Sequence, residues 1–129
     1  MTNPAQFESY ESAARWGSSL EARVFFELID RGYRHGVDFT YQAQLFGGRQ
    51  EPGGYVPDFV FTNPPGLVIS VLGAYWHLVR HQSAAAIVIF RAQLAAINLH
   101  VVFLTEQHII EDVRFYVGEA LRGVDYSGL

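Results

Sequence analysis

The sequence predicts a single α/β domain in which helices flank a mixed β-sheet, with the elements in the order α-β-β-β-α-β-α. The chain has 129 residues, of which 50% are hydrophobic, and this suits one well-filled core. Apolar residues recur at helical spacing near both ends of the chain and at strand spacing between them. A hairpin followed by a crossover helix and a further strand implies a mixed sheet. We expect residues 1–129 to form this domain, with residues 1–16 as a loosely ordered extension.

The first helix is predicted from about Ser19 to Arg31. Ser18 and Glu21 fit a capping box, in which the serine caps the helix start and the glutamate reaches back to it. Gly32 is a natural stop for the helix. The apolar residues that recur at helical spacing are Leu20, Val24, Phe25, Leu28 and Ile29.

Three strands are predicted after this helix. The first covers Val37–Phe46, which alternates loosely between apolar and polar residues. The second covers Tyr55–Phe61, and the tight turn Asn63–Gly66 joins it to the third, Leu67–Val71. Because the third strand is apolar on both faces, we expect it to be central in the sheet.

The second half of the chain predicts a helical region, a strand and a closing helix. The helical region runs roughly from Trp76 to Ala96, and the strand runs from Leu99 to Leu104. Thr105 caps the closing helix and Gly123 ends it. One apolar stripe of that helix should face the core: Ile109, Val113, Tyr116, Val117, Ala120 and Leu121.

The composition excludes several kinds of site. There is no cysteine, which rules out disulfides, thiolate zinc sites and a cysteine nucleophile. The net charge is −4, which disfavours broad, non-specific binding of duplex DNA. No apolar run reaches the length of a membrane span, and Met1–Pro4 does not resemble a secretion signal. We therefore expect no membrane partner and a cytoplasmic location, or a virion if the protein is phage-encoded.

Asp58 is the main candidate for chemistry. The predicted hairpin brings it beside the end of the third strand and the turn at Gly73. A carboxylate next to a main-chain carbonyl at a strand end offers two hard oxygen ligands, which Mg²⁺ or Mn²⁺ prefers. A water molecule on such an ion can attack a phosphodiester.

Glu21 and two histidines are further candidates. Glu21 falls on the apolar face of its helix, where it either completes the capping box or faces the metal centre and orients a histidine. His77 and His81 share a helix face. His77 follows the strand end that neighbours Asp58, within reach of a bound phosphate, whereas His81 is better explained as a surface residue.

Two segments resemble the core of the very-short-patch repair (Vsr) endonucleases and their relatives in the restriction-endonuclease-like PD-(D/E)xK superfamily. They are Pro57-Asp58-Phe59-Val60-Phe61 and the apolar strand that runs into Gly73-Ala74-Tyr75-Trp76-His77. The resemblance covers about Ser18 to Gly123. It implies a restriction-endonuclease-like core and metal-dependent cleavage of DNA.

The resemblance also implies a role for each matching position. Asp58 and the main-chain carbonyl of Val71 would hold the metal ion. His77 would be the catalytic histidine, and Glu21 would support it. Trp76 would lie close to DNA or to the core. Of the arginines, Arg49 and Arg91 are the candidates for contact with DNA phosphates.

The general superfamily motif has an acid and, two residues on, a lysine, where this sequence has Ser70 and Leu72. The short-patch enzymes also lack the acid, but they carry a histidine at the position of Leu72, so one of two catalytic histidines is absent here. A catalytically impaired, nuclease-like subunit of a DNA-handling assembly is therefore the alternative to an active enzyme. The segment Ala84–Phe90 is apolar all round, so it must be buried in the core or against another subunit. This favours dimerisation or docking into an assembly.

Overall fold

The computed structural model describes residues 19–41, 58–72, 85 and 87–129. These residues form an α/β domain with one four-stranded sheet and helices packed against it. The elements in chain order are α1 (Ser19–Asp30), β1 (Phe39–Tyr41), β2 (Phe59–Phe61), β3 (Leu67–Leu72), α2 (residues 87–96), β4 (His100–Thr105) and α3 (Glu106–Leu121).

The sheet is mixed, and its strands lie in the order β1-β2-β3-β4. β1 pairs with β2 and β2 with β3 in antiparallel fashion, whereas β3 and β4 are parallel. Parallel strands cannot be joined by a short turn and need a crossover. The crossover between β3 and β4 contains α2. The apolar strand β3 lies between two neighbours, so its predicted central position is confirmed.

Two hydrophobic clusters lie on opposite faces of the sheet, because successive side chains of a strand alternate between faces. On the first face, which we call the α1–α3 face, Phe25 and Leu28 of α1 and Val117 of α3 pack against the strands. On the second, the α2 face, Phe90 and Leu94 of α2 pack against the strands. The strand residues of the α1–α3 face include Phe39, Tyr41, Phe59, Ile69 and Val102; those of the α2 face include Val68, Leu72, Val101 and Phe103.

The predicted glycine stops of α1 and α3 and the predicted Thr105 cap of α3 are confirmed. Gly32 and Gly123 follow α1 and α3 with φ of +91° and +82°, a left-handed conformation that glycine adopts without steric cost. The Thr105 hydroxyl accepts a hydrogen bond from the N–H of His108, and the His108 ring accepts one from the N–H of Thr105. This reciprocal pair is a capping box in which histidine takes the usual place of Glu or Gln.

A kink at Asp112 interrupts α3 and was not predicted from the apolar stripe. Asp112 has an extended backbone (φ −164°, ψ 81°), and its side chain accepts a hydrogen bond from the N–H of Phe115 at 3.0 Å. The aspartate thus acts as an N-cap inside the helix and restarts it. The apolar stripe survives the kink: Ile109, Val117 and Ala120 are buried, and Val113, Tyr116 and Leu121 are partly buried.

The first strand begins later than predicted. Val37 is 54% exposed and lies in a turn, so its assignment to the strand was wrong. The turn is held by Asp38, whose carboxylate accepts hydrogen bonds from the backbone of Arg34 and the side chain of Asn63. These bonds keep the pKa of Asp38 below its usual value. The predicted strand residues 42–46 and 55–57 lie outside the described residues.

Candidate functional site

The β2–β3 hairpin brings Asp58 and Val71 together, as the sequence predicted. Asp58 immediately precedes β2, and Val71 is the penultimate residue of β3. The Asp58 Oδ2 atom accepts a hydrogen bond from the N–H of Val71 at 2.6 Å. In an antiparallel ladder, the N–H and C=O of one residue point to the same neighbouring strand. The carbonyl of Val71 therefore leaves β3 on the edge where the Asp58 carboxylate lies.

Ser70 lies directly across the hairpin from Asp58. Phe59 pairs with Ile69 and Val60 with Val68, so one further step of the same register sets Asp58 opposite Ser70. Opposed residues of an antiparallel pair share a face of the sheet, and here that is the α2 face.

The motif position Ser70 carries a buried hydroxyl without a partner. Ser70 is 3% exposed, and its Oγ atom has no hydrogen-bond partner. Leu72, which occupies the second motif position, is 5% exposed and packs in the α2-face cluster. An unsatisfied buried hydroxyl costs about 1–3 kcal/mol, whereas a buried leucine contributes to stability. Of these two positions, only Ser70 retains a polar atom beside the Asp58 edge.

Glu21 reaches the same corner of the sheet from the opposite face. Its Oε1 atom accepts a hydrogen bond from the Tyr41 hydroxyl at 2.8 Å. The Tyr41 ring stacks on Phe59, the neighbour of Asp58 in the chain, with 4.9 Å between the ring centroids. Tyr41 thus links Glu21 to the strand that carries Asp58. This contact explains how a carboxylate is tolerated on the core-facing stripe of α1, because the hydrogen bond offsets part of its desolvation.

Tyr41 also belongs to this corner, although it was predicted only as part of one side of the first strand. Its ring is buried, at 3% exposure, as the strand alternation predicted. A signal for its second role was available, since the hydroxyl of a buried tyrosine usually requires a hydrogen-bond partner. Glu21 and Tyr41 are distant in sequence, however, and only the packing of α1 on β1 brings them together.

Several predicted site residues lie outside the described residues. They are Arg49, Trp76, His77 and His81, together with Ser18 and the turn at Gly73. The predicted roles of His77 in catalysis and of Trp76 and Arg49 near DNA stay predictions. The same holds for the capping interaction between Ser18 and Glu21.

Arg91 makes an extensive set of contacts within the domain. Its guanidinium donates hydrogen bonds to the carbonyl of Val101 at 3.2 Å, to Asp125 at 3.2 Å and to the main-chain oxygen of Leu129 at 2.6 Å. It also lies over the Phe103 ring, 5.0 Å from the centroid. These contacts anchor residues 125–129 against β4. The predicted contact of Arg91 with DNA stays a prediction, and the internal contacts already account for the residue.

The donor atoms at the Asp58 corner are hard oxygens. They are the Asp58 carboxylate, the carbonyl of Val71 and the hydroxyl of Ser70. Mg²⁺ is commonly held by one or two carboxylates, with water and substrate phosphate completing its shell, so this set fits such an ion. Within residues 19–41, 58–72, 85 and 87–129, no group of three or more His, Cys, Asp or Glu side chains converges. The set therefore does not fit a zinc site with several protein ligands.

Two shallow grooves lie on either side of His100, at the other end of β3 and β4 from Asp58. Arg91, Asn98 and Leu99 line one groove, and Pro64 and Arg122 contribute to the other. Arg122 is paired with Glu119 at 2.9 Å, and Arg91 is bound internally. The grooves therefore lack the strong positive charge that a phosphate-binding cleft requires.

Comparison with protein-family models, with curated proteins and with solved structures finds no match to this chain. The fold and the site together define an α/β domain with a mixed sheet and a carboxylate at the hairpin edge. In the part of the chain that the structure describes, no helix is long and apolar enough to cross a membrane.

Proposed function

We propose that the protein is a metal-dependent endonuclease with a restriction-endonuclease-like core, similar to the Vsr enzymes. One observation carries the proposal: the Asp58 carboxylate and the main chain of Val71 meet at the end of the β2–β3 hairpin that lies away from its turn. The resemblance in sequence assigns the metal ligands to these same two residues. DNA is the substrate that the resemblance implies.

The chain's own residues would divide the work as follows. Asp58, together with the carbonyl of Val71, holds the Mg²⁺ or Mn²⁺ site at the sheet edge. An ion bound there would stabilise the negative charge that develops on the phosphate during cleavage and would lower the pKa of a bound water. The bond from the N–H of Val71 keeps the Asp58 carboxylate oriented. Glu21, held by Tyr41, and His77 complete the proposed site.

Cleavage assays with three proteins test this proposal. Supercoiled plasmid and mismatched duplex are incubated with Mg²⁺ or Mn²⁺ and wild type, Asp58→Asn or Asp30→Asn. Asp30 is an exposed carboxylate at the end of α1 and serves as the matched control. We expect wild type and Asp30→Asn to nick the DNA and Asp58→Asn to leave it intact. Intact DNA with all three proteins, or equal nicking by all three, would contradict the proposal.

A nuclease-like binding subunit without activity is the second candidate, and the two buried motif positions favour it. Ser70 offers one neutral oxygen where the general superfamily motif has an acid, and Leu72 offers none where the short-patch enzymes have a histidine. Fluorescence anisotropy with labelled duplex separates the candidates. DNA binding that is weakened by high salt, in a protein that never cleaves, supports the subunit. Cleavage that depends on Asp58 eliminates it.

A further inference from the structure

The outward face of α2 is apolar over its whole described length. Ile87, Phe90 and Leu94 of this helix point inward and are buried. On the opposite side, Val88 is 66% exposed and Ile89 is 48% exposed. The other exposed residues of this side are alanines, and we call the set the α2 outer face: Ala85, Val88, Ile89, Ala92, Ala95 and Ala96.

The charge distribution of α2 is the reverse of that of an ordinary surface helix. A surface helix normally carries its charged residues on the solvent side. Arg91 is the one charged residue among residues 85 and 87–98, and it points inward to Asp125 and Leu129. The α2 outer face therefore offers no charge, and the long polar side chain at its border is the partly exposed Gln93, one turn after Ile89. A stable partner for it must itself be apolar, because a charged partner would lose its hydration without compensation.

The order of large and small residues makes the face complementary to itself. The large residues Val88 and Ile89 lie one turn before Ala92, and the small residues Ala95 and Ala96 lie one turn after it. A twofold axis beside Ala92 would set two copies of the helix antiparallel. Val88 and Ile89 of one copy would then pack over Ala95 and Ala96 of the other, and the reverse, as an isologous interface requires.

The size of the face sets the strength of the association. Three turns of helix span roughly 16 Å. A standard interface buries about 800 Å² per partner, and one face of a helix of this length covers less than that area. Ile97, which is 46% exposed just beyond α2, extends the surface slightly. A contact of this size produces a reversible, concentration-dependent dimer, not an obligate one.

We propose that the α2 outer face binds a second copy of this chain, with the two helices antiparallel about Ala92. The proposal does not depend on nuclease activity.

Sedimentation equilibrium over a wide concentration range tests the dimer. Ile89→Glu places a carboxylate in the proposed contact of both copies. Ile110→Glu is the matched control, because Ile110 is a 61% exposed isoleucine on α3. We expect wild type and Ile110→Glu to shift from monomer towards dimer as concentration rises. Ile89→Glu should weaken association by a factor of about 10 or more, since the carboxylates lose water without gaining a partner.

Cysteine cross-linking tests the orientation, because the chain has no cysteine of its own. In Ala92→Cys the two thiols lie beside the twofold axis, so mild oxidation should produce a disulfide-linked dimer. Ile110→Cys should form this species much more slowly. Fast cross-linking at position 92 combined with slow cross-linking of Val88→Cys supports the antiparallel arrangement, because in a parallel pair Val88 would also meet its own copy. Equal rates at positions 92 and 110, or fast cross-linking at position 88, contradict it.

Other occupants of the face give different results, and each overturns the proposal. If another segment of the same chain covers the face, wild type stays monomeric and Ile89→Glu lowers the unfolding midpoint. If an unrelated protein covers it, wild type stays monomeric and Ile89→Glu leaves the midpoint unchanged. If the dimer forms through α3 instead, Ile110→Glu dissociates it and Ile89→Glu does not.

Discussion

The carboxylate of Asp58 accepts a hydrogen bond from the main-chain N–H of Val71 at 2.6 Å. β2 begins at Phe59, which pairs with Ile69, and Val71 lies two residues beyond Ile69 in β3. The aspartate side chain thus joins the start of β2 to the C-terminal end of β3. Asp58 therefore has a structural role in addition to its proposed role at a metal site, and the two roles are separable by mutation.

Asp58→Asn and Asp58→Ala should differ in stability. The asparagine carbonyl can still accept the hydrogen bond from Val71, whereas alanine leaves this N–H without its acceptor. We expect Asp58→Ala to lower the free energy of unfolding by about 1–3 kcal/mol and Asp58→Asn to lower it by less. Urea denaturation followed by circular dichroism measures both. Equal losses in the two variants would show that the hydrogen bond is not what makes Asp58 stabilising.

Tyr41→Phe should destabilise the domain while preserving its core. The substitution removes the hydrogen bond to Glu21 and keeps the ring that stacks on Phe59. The expected loss is about 1 kcal/mol in the free energy of unfolding. Tyr33→Phe is the matched control, because Tyr33 packs against the same core. A loss for Tyr33→Phe as large as that for Tyr41→Phe would assign the effect to general repacking.

His35 should make stability depend on pH in the mildly acidic range. The ring is 5% exposed, lies 5.5 Å from the Phe25 ring and has no hydrogen-bond partner on either nitrogen. Burial lowers the pKa of His35 below 6.5, so protons bind the unfolded chain more readily. The free energy of unfolding is therefore highest above pH 6.5, where His35 is neutral in both states. It decreases as the pH falls from there through the lower pKa of His35 in the folded state.

Unfolding midpoints measured between pH 8 and pH 5 check this prediction. We expect the midpoint of wild type to fall as the solution becomes acidic. His35→Phe, which keeps an aromatic ring against Phe25 and Phe39, should lose less over the same interval. If both proteins follow the same pH dependence, His35 is not its source.

Arg91→Lys should loosen residues 125–129. Lysine cannot reproduce the simultaneous bonds of the guanidinium to Val101, Asp125 and Leu129. Hydrogen exchange should become faster in this segment, and the free energy of unfolding should fall by about 1–3 kcal/mol. The control is Arg122→Lys, since Arg122 is 74% exposed in its pair with Glu119, where such pairs contribute little. Unchanged exchange in Arg91→Lys would contradict the anchoring role.

Much of the fold could be predicted because the local signals agree with the tertiary structure. The bounds of α1, Ser19–Asp30, follow from its apolar stripe and from Gly32. The turn Asn63–Gly66 identified the hairpin, and the apolar residues on both sides of β3 identified a strand covered on both faces. The prediction failed at Val37, where the polar contacts of Asp38 with Arg34 and Asn63 outweigh the alternating pattern.

The candidate site was predictable only in part. The hairpin sufficed to place Asp58 beside Val71, because the pairing of two adjacent strands follows from the turn that joins them. The bond between Glu21 and Tyr41 was not predictable, since it depends on how α1 docks on the sheet. Arg91 shows the same limit: the sequence suggested an exposed cation, whereas its partners Asp125 and Leu129 come from the far end of the chain.

The sequence by itself determined the order of the elements, the central position of β3 and the meeting of Asp58 with Val71. These depend on periodicity and on short-range turns, which are local properties of the chain. Only the tertiary structure decided that Ser70 is buried without a hydrogen-bond partner, that Arg91 points inward and that Val88 and Ile89 face outward. Which side of an element is covered depends on the neighbours that pack against it, and those neighbours come from distant parts of the chain.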